Sequence, residues 1–408
     1  MAITILQQPL DYTPVYNDIN FVCSSTNVAQ TNFNFIFDVK INGTLVSRHR
    51  IPARPDNNYG LFNVKRIAEN YLTHNFFYAF NPIVTTGTSS ILLLVVEVGE
   101  EYGTTPAVYP TLATSGNKYL WNAVLDAPEW VDYVVTKYRL MTSQLAISQL
   151  LTNNANNKIK TTEKAWLSAL VGETNAVQNF QVRAYDSTNS LLQNTYIINP
   201  YATISAASQR MLTVPAGPVN LNLVLNANLD GTTQNQGNII PSNAAWYEIT
   251  TRGISASSIP IVYTINTTCT KYDSKRIYFL NKLGGYDAFT FDLVSRENNA
   301  IERKQYRRNL GAFSGSSYVY TDFQRSGIIY DVQVKETMIL NSNWITETES
   351  AWLEELLTSP ITYMETTEGI EVVNVTNSNY EVRKTVNDKL FNLQITIEKS
   401  YLKTRQRG

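Results

Sequence analysis

The stretch Asn32-Phe-Asn-Phe-Ile-Phe-Asp-Val-Lys-Ile-Asn-Gly-Thr-Leu-Val-Ser-Arg48 decides the fold class. Phe33, Phe35, Phe37 and Val39 alternate with Asn32, Asn34 and Asp38, the period of a strand that buries one face, and only Ile36 departs from it. Asn42-Gly43 separates two extended segments. A type I′ turn needs positive φ at both central residues, and Asn-Gly supplies it at least cost, so the stretch predicts a β-hairpin. Downstream, Val64, Ile67, Ala68, Tyr71 and Leu72 recur at helical spacing within Leu61–Leu72, and Ile91–Val98 reads as a strand. Residues 1–152 are therefore expected to form a β-sandwich domain with one short helix.

The Asn-rich run Thr152–Lys158 has no apolar residue larger than Ala155 and reads as a loop or linker, which sets a boundary at 152/153. Glu163–Leu170 has a helical pattern. From Gln178 to Tyr272, short extended segments (Phe180–Tyr185, Asn194–Ile198, Val219–Leu225, Trp246–Thr251, Ile261–Thr268) are separated by Asn, Gly and Pro. That cadence predicts a central β-sandwich over 153–272. Within it, Asp230–Asn238 reads as a long exposed loop and a candidate inter-subunit arm.

Residues 273–408 are the most readable. Ile277–Asn281 and Ala288–Val294 flank a Gly284-Gly285 turn, and Tyr318–Phe323 and Ile328–Leu340 are extended. Thr346 as N-cap with Glu349 three residues on makes a capping box. Trp352, Leu353, Leu356 and Leu357 then form one apolar stripe, and Pro360 stops the helix. Phe391, Leu393, Ile395 and Ile397 close the chain as one face of a strand. The whole is expected to be mostly β: several β-sandwich domains, the last carrying one packed α-helix.

Of 408 residues, 43% are hydrophobic and only 16% charged, so Asn, Thr, Ser, Gln and Tyr fill the surface and suit broad polar contacts between subunits. The net charge of −1 (33 basic, 34 acidic) provides no overall field toward nucleic acid or anionic lipid. Met1–Leu10 lacks the pattern of a signal peptide and the apolar run Ile91–Val96 is too short to span a bilayer, so no membrane segment and a soluble product are expected. Asn-X-Thr triplets at Asn42, Asn266 and Asn374 are ordinary in so Asn- and Thr-rich a chain.

Catalytic chemistry finds little to stand on. The two histidines, His49 and His74, have no nearby His or Cys to complete a metal set. The two cysteines, Cys23 and Cys269, read as small buried thiols, with a single long-range disulfide as the alternative. Glu100-Glu101 and Glu354-Glu355 are adjacent in sequence, which does not make the facing pair that a glycosidase needs. Lys282-Leu283-Gly284-Gly285 lacks phosphate-loop spacing and reads as a turn. The expectation is a non-enzymatic chain without metal or cofactor. Its densest basic stretch, Arg303, Lys304, Arg307 and Arg308 around Gln305 and Tyr306, with Arg325 nearby, is the candidate contact region. It would meet acidic patches of a neighbouring subunit or, as a second possibility, DNA passing through a channel. Lys403, Arg405 and Arg407 invite the same ranking, on a tail expected to be disordered in an isolated subunit.

The run Arg276-Ile-Tyr-Phe-Leu-Asn-Lys-Leu-Gly-Gly-Tyr-Asp-Ala-Phe-Thr-Phe291, with the basic segment to Asn309-Leu310-Gly311, resembles virion structural proteins of tailed phages infecting Bacteroidota, including the ring proteins of crAss-like phages. Trp344-Ile-Thr-Glu-Thr-Glu-Ser-Ala-Trp-Leu-Glu-Glu-Leu-Leu-Thr-Ser-Pro-Ile-Thr-Tyr363 and Asn387-Asp388-Lys389-Leu390 resemble their helix-then-strands ending. Tyr12-Thr-Pro-Val-Tyr16 and Ile36-Phe-Asp-Val-Lys-Ile-Asn-Gly43 resemble their opening. The likeness touches both ends and fades between Asn153 and Tyr272. It implies a virion component of the tail, neck or baseplate, assembled with copies of itself in a cyclic ring beside other tail, portal or ring proteins. It also implies a tail-tube-like carboxy-terminal domain. The competing expectation, from the Tyr, Trp and Asn content of the loops, is a receptor- or carbohydrate-binding tail protein.

Overall fold

Asn42 and Gly43 take φ values of 49° and 84°, and they join Asn34–Ile41 to Thr44–Pro52 as an antiparallel hairpin. The structure is a computed structural model that describes residues 3–76, 83–142, 148–230, 238–254, 257–367, 369–377 and 390–405. Strand makes up 49% and helix 11%, so the fold is mostly β. The chain packs as two units, residues 1–267 with 280–287, and residues 268–279 with 288–408.

The first unit holds two sheet pairs. In one, Ile3–Gln7, Asn20–Ser25 and Gly60–Asn63 form a three-stranded sheet. It packs on a six-stranded sheet ordered Tyr12–Pro14, Lys118–Trp121, Ile91–Tyr102, Asn34–Ile41, Thr44–Pro52, with Ala107–Thr114 added to Ile91–Tyr102. The alternating Phe35, Phe37 and Val39 bury into one apolar cluster with Phe21, Cys23, Leu94 and Val96. In the other pair, a four-stranded sheet (Arg139–Leu140, Trp166–Val171, Met211–Pro215, Thr85–Thr86) faces a five-stranded one (Asn156–Ile159, Ile261–Ile265, Trp246–Arg252, Asn179–Tyr185, Leu191–Ile198). Leu167, Val171, Leu212, Phe180, Val182 and Tyr247 fill their interface. A further cluster of Tyr12, Ile91, Trp121, Tyr138, Leu151, Leu170, Met211 and Leu283 draws on both pairs, so residues on either side of 152/153 share one core. The expected linker over Thr152–Lys158 contains a strand, Asn156–Ile159, paired in parallel with Ile261–Ile265.

Several local expectations are corrected. Glu163–Leu170 is not a helix, because Trp166–Val171 is a strand paired with Met211–Pro215. Leu167, Ala169 and Val171 bury on one face and Leu170 on the other, and apolar residues on both faces hide a period of two. Within Val219–Leu225 a short helix, Pro218–Asn222, replaces the expected extension. Pro218 presets its first turn, and the Asn220 side chain accepts from the Gly217 N–H (2.9 Å) while donating to the Ala165 carbonyl (2.7 Å). Helix in Leu61–Leu72 is confined to Lys65–Ala68 and a following turn at Glu69–Tyr71, since Gly60–Asn63 pairs as a strand with Asn20–Ser25. Cys23 is buried as expected, whereas Cys269 is exposed, and both are free thiols. Residues 231–237 of the expected loop arm lie outside the described residues.

The second unit is built on one antiparallel sheet ordered Tyr286–Phe291, Lys275–Leu280, Thr362–Thr366, Gly369–Val375, Leu390–Lys399, Gly327–Thr346, Arg296–Arg307. Helix Glu347–Thr358 covers its apolar face, Trp352, Leu353 and Leu356 packing with Phe279, Phe291, Leu340, Ile345 and Ile395. The capping box forms as expected: Thr346 Oγ1 accepts from the Glu349 N–H (3.2 Å), and Glu349 Oε2 accepts from the Thr346 N–H (2.8 Å). On the carboxy-terminal tail, Lys403–Thr404 pairs with Gln333–Val334, Lys403 meets Glu336 at 2.5 Å and the Arg405 N–H donates to the Val332 carbonyl (3.3 Å). Arg407 lies outside the described residues.

Candidate functional site

Arg296–Arg307 offers no apolar alternation, and its twelve residues are all exposed. It is the end strand of its sheet and pairs only with Gly327–Thr346 among the described residues. That partner strand is long. Leu390–Lys399 lies along it from Thr337 onward, and Lys403–Thr404 reaches Gln333 and Val334. The Val332 carbonyl still accepts from the Arg405 N–H (3.3 Å), and beyond it Lys304–Arg307 and Gly327–Asp331 pair only with each other among the described residues, as a two-stranded ribbon that runs past the sheet. We call this ribbon and the segment closing it the arm.

All five basic candidates fall on the arm and are exposed. Arg303 stands opposite Val332, Lys304 opposite Asp331 and Arg307 opposite Gly327, with a bulge between Lys304 and Gln305. Lys304 Nζ lies 3.5 Å from Asp331, a half-exposed pair of small energetic weight. Past the last rung the Arg308 N–H donates to the Ser326 carbonyl (2.9 Å) and its Nε to the Arg325 carbonyl (3.3 Å), which sets Arg308 beside Arg325. The fold thus gathers residues separated by 17 positions at one end of the ribbon.

The sequence reading did not single out the aromatic tip. Ala312–Ser314 and Ser317–Val319 make a small hairpin turning at Gly315 (φ 62°), and only the first part of Tyr318–Phe323 is strand. Phe313 stacks edge-on against Tyr318 at 5.0 Å, and Tyr318 against Tyr320 at 5.4 Å. The Tyr318 hydroxyl donates to the Leu310 carbonyl (2.7 Å) and the Gln324 side chain accepts from the Gly311 N–H (2.5 Å), so the tip is cross-braced. Phe323 is 95% exposed, Phe313 77% and Tyr320 69%. The available signal was the interleaving of Phe and Tyr with Gly and Ser over 311–323, which places large apolar side chains in a turn-rich segment.

Grouped exposed aromatics with guanidinium groups around them suit an acidic protein surface or stacked bases. The other candidates are held elsewhere. Glu100 accepts from Ser25 and Asn27 (both 2.7 Å) and Glu101 pairs with Arg50 (2.7 Å), so neighbouring carboxylates are taken by different partners. Glu354 lies on the exposed side of its helix. His49 stacks on Phe62 at 4.7 Å, and burial lowers the pKa of His74. Among the described residues no three His, Cys, Asp or Glu side chains gather as a metal site, and no helix is long and apolar enough to cross a membrane. Gly284 (φ 86°) makes the expected turn, with Asn281 accepting from the Leu283 and Gly285 N–H groups. No family model matches the chain, and no curated protein matches it.

Proposed function

We propose that the chain is a non-catalytic structural subunit of a tailed-phage virion, assembling with copies of itself into a cyclic ring in the tail, neck or baseplate. The observation that carries this reading is the projecting arm. A two-stranded ribbon on its own is marginal in water, and a tip bearing Phe313, Tyr320 and Phe323 gains stability when another surface covers it. A neighbouring copy is always present at the same concentration, and an arm on one surface meeting a different surface of the next copy makes a heterologous contact, which gives a ring when the rotation between copies closes. The sequence resemblance supports the phage setting, with adjoining tail, portal or ring proteins as further partners. Arg303, Lys304, Arg307, Arg308 and Arg325 would meet acidic groups of the neighbour, with passive contact to DNA in a channel as their second use.

The full chain is examined by native mass spectrometry and negative-stain microscopy. Closed rings are expected, with interfaces above ~1,600 Å². Replacing residues 311–323 by a two-residue Asn-Gly turn is expected to give monomers with an unchanged thermal transition. A native chain that stays monomeric at high concentration and is absent from phage particles overturns the reading. The Phe- and Tyr-rich tip also favours a second one, receptor or glycan recognition, since such residues supply rigid contact area in binding loops. Saturable glycan binding by monomers would select it.

A further inference from the structure

The first unit carries a cleft of about 320 Å³, lined among others by Gln8, Leu10, Asp18, Trp130 and Tyr133. Trp130 and Tyr133 stack at 5.7 Å with 17° between their planes. The Tyr133 hydroxyl donates to the Tyr12 carbonyl (2.8 Å), which fixes its ring, and Trp130 beside it is half-buried. Gln7, Gln8, Asp18 and Asn20 make half of the cleft's lining polar, while Leu10 in the lining is 46% exposed and Val131 and Val134, next in sequence to Trp130 and Tyr133, are 82% and 56% exposed. The cleft's surroundings are also acidic. Asp18 and Asp132 are exposed, and Asp126 and Glu129 share the single ammonium of Lys282 (2.9 Å each).

The arm has the opposite character. Between residues 303 and 332 it carries Arg303, Lys304, Arg307, Arg308 and Arg325 against Asp322 and Asp331, and Asp331 is already paired with Lys304. One part of the chain thus presents exposed aromatic rings with excess positive charge. Another presents a cleft with two stacked aromatic rings, exposed Val131 and Val134 next to them in sequence, and excess negative charge. Because the two surfaces differ, pairing them between copies gives a head-to-tail contact.

We infer that the arm tip of one copy seats in this cleft on the next copy, with Phe323 inserted against Trp130 and Arg308 and Arg325 facing Asp18 and Asp132. The inference rests on the ring reading above and specifies its interface. Buried aromatic anchors ringed by charge-paired residues are the usual carriers of such contacts.

The test places a photoreactive benzoyl-phenylalanine at position 323 of the full chain and irradiates an equal mixture of light and isotope-labelled copies. Mixed-isotope cross-links mapping to residues 7–20 or 126–134 are expected. Val131→Glu, a fully surface change, is expected to weaken assembly at least tenfold without altering the thermal transition. Rings that persist while cross-links map elsewhere and Val131→Glu assembles normally overturn this inference and leave the ring reading intact. A native chain that forms no oligomer overturns both. Fluorescence quenching by lactose or N-acetylglucosamine that Trp130→Ala abolishes, with cross-links elsewhere, assigns the cleft to a saccharide and also overturns it.

Discussion

Cys23 and Cys269 are the same residue type with opposite fates. Cys23 is fully buried among Phe21, Phe35 and Phe37, and burial pushes its thiol up to about 12, whereas Cys269 is exposed. Only a thiolate attacks, so a thiol reagent at pH 8 is expected to titrate one cysteine in the native chain and two after unfolding; two in the native chain would contradict the burial. The carboxyl of Glu97 shows the other direction, held below its ordinary range by hydrogen bonds from Lys40 and then Thr111 (the latter 2.8 Å). Its folded pKa is depressed, so its contribution to stability is complete above the unfolded value near ~4.3 and is lost as pH falls through the folded one. The stability gap between the native chain and Glu97→Gln, followed by urea denaturation, is therefore expected to be widest near neutrality and to close below about pH 4. A gap that is constant with pH would remove the ion pair from the account.

At the scale of elements, legibility followed locality. The Asn42-Gly43 hairpin and the Thr346–Glu349 capping box depend on contacts within a few residues, and both formed where the sequence put them. Thr346→Ala is expected to cost about 1 kcal/mol in chemical denaturation, and Thr346→Ser or Thr346→Asp much less, since each restores an acceptor for the Glu349 N–H. Equal losses in all three would mean that the cap bond is not what holds the helix start. A distant partner hid an element where apolar residues on both faces blurred its own period. Trp166–Val171 is a strand because Met211–Pro215 and then Arg139–Leu140 pair with it, and nothing inside residues 163–170 announces either. The arm was half legible. Its basic residues stand out by density, but the aromatic tip reads simply as an extended run, since sequence shows an apolar side chain without showing whether anything covers it. The exposure of Phe323 became visible only when the register of Arg296–Arg307 against Gly327–Thr346 carried the tip past the sheet.

At the scale of the whole molecule, the sequence divided at 152/153 and 272/273, whereas the first unit takes residues 1–267 together with 280–287, a division no linear cut reproduces. The return of 280–287 is structural for that unit. Leu283 is fully buried beside Tyr12, Trp121 and Tyr138, its carbonyl accepts from the Trp121 indole (3.1 Å), and Asn281 donates to the Leu151 carbonyl (2.9 Å). The Val124 N–H likewise donates to the Lys282 carbonyl (2.8 Å). A chain ending at Thr267 loses all of these at once. Removing the Leu283 side chain from a packed core costs roughly 2–5 kcal/mol, and leaving the Trp121 indole N–H buried without an acceptor adds about 1–3 kcal/mol. Set against the roughly 5–15 kcal/mol that holds a folded domain, the loss leaves the first unit marginal. Such a truncated chain is expected to melt about 10 °C or more below the full chain's first transition and to lose near-ultraviolet dichroism from Trp121. Leu283→Ala in the full chain, which keeps every backbone acceptor, is expected to show only the smaller, cavity part of the effect. A chain ending at Thr267 that melts like the full one would mean that residues 280–287 rest on the first unit without supporting it.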